Sequence, residues 1–124
     1  MLKLEEEAKK FMQDNLVITE VMTADFYEAR AGQTAIFPKE KALEYLALGL
    51  TSEAGEVAGK VKKLIRDGKG DKKAIASEIG DVLWYCAMLA KETDVPLNEI
   101  MKENLRKLHS RKERGTLSGS GDER

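Results

Sequence analysis

The chain is predicted to be all-α, folding as an antiparallel four-helix bundle. Three observations predict it: apolar residues recur at helical spacing, only two prolines interrupt 124 residues, and no segment shows the strict alternation of a half-buried strand. Pro38 and Pro96 each stand just ahead of a helix-like segment, where a fixed φ and a missing N–H are best tolerated. A first helix is expected from about Leu4 to near Arg30, with Phe11, Met12, Leu16, Ile18, Val21 and Met22 as candidate core and the β-branched stretch around Val17 to Thr19 as a place to kink. After a loop from Gly32 to Phe37, a second helix runs from Pro38 to Arg66, with Leu43, Leu46, Leu50, Val57, Val61 and Leu64 at heptad-like spacing. Asp67 and Gly68 end it. The third, from about Asp71 to Thr93, carries Ile75, Ile79, Val82, Leu83, Cys86 and Leu89, and the fourth begins near Pro96 with Leu97, Ile100, Met101, Leu105 and Leu108 on one face. Residues 112–124 turn to Gly and Ser, a composition expected of a flexible tail whose backbone N–H groups can also meet phosphate.

Two acidic pairs carry the chemistry. Glu53-Ala54-Gly55-Glu56 and Glu78-Ile79-Gly80-Asp81 both place acids three residues apart, so each pair shares one helix face. The 21 residues between Glu56 and Glu78 suffice to finish one helix, turn through Asp67-Gly68-Lys69-Gly70 and return along the next, so the pairs can meet. Four gathered carboxylates repel one another and lose hydration unless a cation compensates them. Their all-oxygen chemistry suits magnesium, with manganese as a substitute. A solvated acidic face is the plainer account, and Lys60 could pair with Glu56. Against it, Leu50 and Val57 flank Glu53, and Ile75 and Val82 flank Glu78, at helical spacing. Glycine also precedes the second acid of each pair, which points to a close approach of backbone or ligand at Gly55 and Gly80.

Composition bounds the remainder. The length suits one small domain over residues 1–124. Charged residues make up 35% of the chain yet the net charge is −1, so there is no chain-wide footprint for nucleic acid or anionic membrane. The single Cys86 lies in an apolar run and reads as a core thiol in a reducing compartment. The charged start from Met1 to Glu7 is unlike a signal peptide, no apolar stretch reaches membrane-spanning length, and a cytoplasmic location is expected.

From about Phe26 onward the chain resembles the MazG-type nucleotide pyrophosphohydrolases of the all-α NTP pyrophosphatase superfamily. The resemblance rests on the ordered set of Glu53/Glu56, Val61 to Gly68, Glu78/Asp81 and Asn104 to Arg111, with the ending Arg114-Gly115-Thr116-Leu117 and Gly119-Ser120-Gly121-Asp122 similar to small single-domain members, phage-encoded ones included. It implies Mg²⁺-dependent hydrolysis of a nucleoside triphosphate to monophosphate and diphosphate. Glu53, Glu56, Glu78 and Asp81 would hold the metal, and Glu53 or Glu56 could instead orient the attacking water. Asn104, Lys107 and Arg111 recur on one helix face and would contact phosphates, and Tyr85, one turn after Asp81, would stack on a base. Lys63 joins the substrate-binding candidates at a place where, as at Lys60, some deoxycytidine-preferring relatives carry an aromatic residue. The first 25 residues resemble the family least. A homodimer or homotetramer is expected from the resemblance and from the small core of each subunit.

Other chemistries fail on residue type. His109 is the only histidine, which leaves no triad and no Glu-x-x-His di-iron set. Gly68-Lys69-Gly70 lacks the rest of a P-loop. Two alternatives stay open: the same cage acting on an alarmone or another phosphoanhydride nucleotide, and a non-catalytic helical interaction protein.

Overall fold

The computed structural model describes residues 21–124 together with Glu6. Among the described residues there are four α-helices, α1 (Ala24–Ala31), α2 (Ala42–Asp67), α3 (Lys72–Glu92) and α4 (Leu97–Glu113), two short 3-10 turns and no strand. No described helix is long and apolar enough to cross a membrane.

The first helix departs from expectation. Instead of running unbroken into Arg30, the chain is extended at Thr23, whose hydroxyl accepts from the Phe26 N–H at 3.1 Å and starts α1 afresh at Ala24. Val21 and Met22, expected in the core, are 88% and 47% exposed. The remainder of the predicted helix, with Phe11, Met12, Leu16 and Ile18, lies outside the described residues.

Pro38 also starts its helix less directly than predicted. Its carbonyl accepts from the Lys41 N–H at 3.1 Å, which closes a 3-10 turn over Lys39–Lys41, and α2 begins at Ala42. Gly68 stops α2 in the left-handed region at φ +68°. The Asp71 carboxylate then accepts from the Lys73 N–H at 2.8 Å and opens α3. With so short a connection, α2 and α3 return antiparallel and make the main helix-to-helix packing among the described residues. Asp94, at φ +59°, turns the chain out of α3, and Pro96 begins α4. The Leu97 N–H donates to Glu28 Oε2 at 3.3 Å, so a carboxylate of α1 sits at the positive end of α4.

The core lies where α1, the first turns of α2 and the last turns of α3 meet. Ala31, Leu46, Ala87 and Met88 are buried there, Leu46 completely, with Tyr27, Phe37, Trp84, Tyr85, Leu89 and Leu97 packed around them. Trp84 Nε1 donates to the Ala31 carbonyl at 3.1 Å and to Thr34 Oγ1 at 2.8 Å, fastening α3 to the end of α1. Cys86 is partly buried, and that burial pushes its thiol pKa up, in line with an inert core thiol. Several positions expected in the core are exposed instead: Leu43, Val61, Ile79, Leu83, Ile100, Met101, Leu105 and Leu108. Among the described residues, the 8 of α1 reach only part of α2, whose 26 residues span about 39 Å.

Gly68→Ala should lower stability by about 1 kcal/mol, because alanine meets a steric penalty at positive φ. Urea denaturation followed by circular dichroism checks it, with unchanged helical content at zero denaturant.

Candidate metal centre

The α2–α3 hairpin brings three of the four predicted acids together. Glu53 from α2 and Glu78 and Asp81 from α3 each offer a carboxylate oxygen within 4.8 Å of the others, with Glu53 and Glu78 partly buried and Asp81 exposed. Glu56, one turn beyond Glu53, stands outside this trio and is exposed, though its charge is felt at Glu53. Burial first, then the charges of Asp81, Glu78 and Glu56, and a hydrogen bond with Glu78 raise the Glu53 pKa above its ordinary 4.5. Oxygen donors at this separation suit a hard divalent cation, which would replace the proton that the crowding favours.

Two of the trio, Glu53 and Asp81, open into a cavity of about 350 Å³ that Thr34, Trp84 and Tyr85 also line. Of the three tyrosines Tyr85 lines it, Tyr45 neighbours Tyr85, and Tyr27 lies within reach of the Asp81 charge. Burial raises the Tyr85 pKa, followed by the neighbouring Tyr45 and by Glu53 and Asp81. Burial and then the Asp81 charge raise that of Tyr27. The Tyr85 ring meets Trp84 edge to face, with centroids 5.0 Å apart, and Tyr45 stacks on Phe37 at 5.7 Å. Phenols held neutral beside carboxylates can donate to them or to a bound oxyanion.

Gly49 makes this wall possible. A Cβ there would lie 2.1 Å from the Tyr85 ring, so the ring rests directly on the α2 backbone. Gly55 and Gly80, where close approach was expected, are different: a Cβ at either would meet nothing within 4 Å. Both face open space in the single chain. Tyr27, Thr34, Tyr45 and Gly49 escaped the sequence reading, although Tyr45, Gly49 and Glu53 follow one another at four-residue steps along one helix face. Thr34 carries no comparable signal.

The basic candidates lie elsewhere. Lys107 and Arg111 line a second cavity near the end of α4 that includes neither the acids nor Tyr85. Asn104, on the same helix, is exposed. Lys63 is exposed near Asp67, whose pKa it helps to lower after the larger effect of Arg66, and ten residues of helix put it about 15 Å beyond Glu53. His109, 74% exposed at its side chain, faces Glu113 and takes no part.

Gly49→Ala should displace the Tyr85 ring and lower thermal stability by about 1 to 3 kcal/mol, the range of an overpacked core, whereas Gly55→Ala should gain about 0.5 to 1 kcal/mol. Thermal denaturation of the two variants against the wild type checks the contrast. In metal-free buffer, protonated Glu53 contributes stability that is full below pH 4.5 and is lost as pH rises through its raised folded pKa. The melting-temperature difference between wild type and Glu53→Gln should therefore shift against the wild type over that interval, and added Mg²⁺ should reverse it. Melting curves at a series of pH values test the sign.

The Gene 37 protein of Mycobacterium phage L5 is 44% identical over 114 residues, an alignment covering 83% of this chain and all of the phage protein. No solved structure matches the chain significantly. Residues 41–116, which include α2, α3, α4 and all four acids, match the model of the MazG nucleotide pyrophosphohydrolase domain. The acid-bearing helical hairpin and this match together place the chain in the MazG nucleotide pyrophosphohydrolase family.

Proposed function

We propose that the protein is a Mg²⁺-dependent nucleoside triphosphate pyrophosphohydrolase, a single domain acting in the cytoplasm that converts an NTP or dNTP and water to the monophosphate and diphosphate. The observation that carries the reading is the convergence of Glu53, Glu78 and Asp81 within 4.8 Å in a chain of this family. These three side chains would hold the cation, Mg²⁺ by preference and Mn²⁺ as a substitute. When bound, the cation supplies charge neutralisation for the phosphate oxygens and makes water more acidic. Glu56, exposed one turn along α2, completes the acidic set and is free to orient the attacking water and take its proton, a role that Glu53 can share. The oxygen of that water bonds to phosphorus as the bridge to the leaving diphosphate or nucleotide breaks. Tyr85 and its neighbours form the wall against which the nucleoside is positioned.

Asn104, Lys107, Arg111 and Lys63 would meet the phosphates. Within one chain Lys107 and Arg111 open into a different cavity from the acids, so this part of the reading calls for assembly. A homodimer or homotetramer would also cover the exposed apolar residues of α2, α3 and α4, among them Leu83, Met101 and Leu105.

Incubation with each of the eight common ribo- and deoxyribonucleoside triphosphates, followed by ion-exchange chromatography, should show monophosphate and diphosphate with Mg²⁺ and neither with chelator. Glu53→Gln and Asp81→Asn should each lower turnover by more than about a hundredfold with helical content intact. Lys107→Ala should raise KM or lower kcat without removing metal binding. Turnover of none of the eight, or near-wild-type turnover by Glu53→Gln, would overturn the reading.

A further inference from the structure

Residues 116–124, read from composition as a flexible tail, return to the end of α4 and are held there. Arg124 ties the segment together: its Nε donates to the Thr116 carbonyl at 3.1 Å, and its terminal nitrogens donate to Leu117 at 3.2 Å and Gly121 at 2.6 Å. Gly119 at φ +113° and Gly121 at φ +89° let the backbone take this path. The Thr116 N–H donates to the Arg111 carbonyl at 2.7 Å, and Arg114 donates to Ser110 Oγ at 3.1 Å and to the Arg124 carbonyl at 2.9 Å. One consequence is the placement of Asp122. Its backbone carbonyl accepts from Arg111 Nη2, and its Oδ1 lies 3.6 Å from that nitrogen and 3.9 Å from Lys107 Nζ.

Arg111 is only 5% exposed, whereas the α4 residues from Glu99 to Ser110 are all exposed, so the returning loop is what covers it. The cover is poorly matched to its charge. Arg111 Nε is buried without an acceptor, and the Asp122 side chain, 91% exposed, reaches the guanidinium with one oxygen beyond hydrogen-bond length. Beside it lies a cavity of about 330 Å³. Five cationic side chains line this cavity against the carboxylates of Glu103, Asp122 and Glu123. Glu103 is taken up by Arg106 at 2.9 Å and Arg124 by the loop carbonyls, which leaves Lys107, Arg111 and Arg114 with donors for a ligand.

We propose that Lys107 and Arg111 form a binding site for a phosphoryl or diphosphoryl group and that Asp122 is its resident competitor, displaced together with the loop when the anion binds. The inference rests on the proposed function for the assignment of these two residues to phosphate. It goes beyond that reading in placing the site on a single chain, independent of metal, and in making the loop its gate. An exposed ion pair is weak, whereas a diphosphate offers the guanidinium fork two oxygens at hydrogen-bond length, so the exchange favours the ligand.

Inorganic diphosphate titrated into the metal-free full-length protein tests this, with calorimetry for affinity and backbone amide NMR of Gly119, Gly121 and Asp122 for the loop. The wild type should bind with displacement of the loop resonances. Asp122→Asn should bind about two- to fivefold more tightly and Lys107→Gln more weakly, both substitutions being at exposed positions that leave the fold intact. Glu78→Gln should bind as the wild type does. Absence of binding, unchanged or weaker affinity in Asp122→Asn, loop resonances that stay in place, or loss of binding in Glu78→Gln would each overturn the proposal. Failure of triphosphate hydrolysis would leave these readouts unmoved.

Discussion

Repulsion among Glu53, Glu78 and Asp81 is the constraint around which the rest of the chain is arranged. Carboxylates within 4.8 Å of one another do not stay together unless the backbones carrying them are fixed. A tight turn at Gly68 and an Asp71 cap set the register of α2 against α3, and the direct contact of the Tyr85 ring with Gly49 sets their separation one turn from Glu53 and Asp81. Trp84 then binds α3 to the end of α1, so the helix that carries two of the acids is anchored from a third element. Packing thus supplies what the electrostatics oppose, and a cation would relieve the remainder.

What could be read from residues alone divides along a physical line. Helices, their caps and the faces they present are local properties, so α2, α3, α4 and the meeting of Glu53 with Glu78 and Asp81 were legible from spacing and turn chemistry. Which neighbour a face meets is not local. Gly55 and Gly80 share the residue type and helical setting of Gly49, yet only Gly49 lies under an aromatic ring. Leu105 and Leu108 continue the apolar spacing of Leu97, but only the start of α4 reaches the core. Lys107 and Arg111 share a face as their spacing requires, and that face turns toward the loop bearing Asp122 and not toward the acids. The break at Thr23 was missed because a single capping hydroxyl outweighed a periodic pattern.

The loop after α4 shows the same limit from the other side. Gly-Ser composition ordinarily signals chain with nothing to pack, yet here one arginine satisfies three carbonyls and supplies the order that apolar burial does not. Glycines that look like freedom in the sequence are positions whose positive φ the path demands. Composition describes what a segment can bury and is silent on what one side chain can organise.

Trp84 is the only tryptophan in the chain. Its indole N–H is committed to Ala31 and Thr34, its ring edge meets Tyr85, and it lines the same cavity as Glu53 and Asp81. The protein therefore carries an intrinsic fluorophore at its acidic centre, with no second indole to dilute the signal. Its emission is a label-free optical reporter of what occupies that centre, sensitive to charge arriving at the carboxylates and to any aromatic base that slides against the wall.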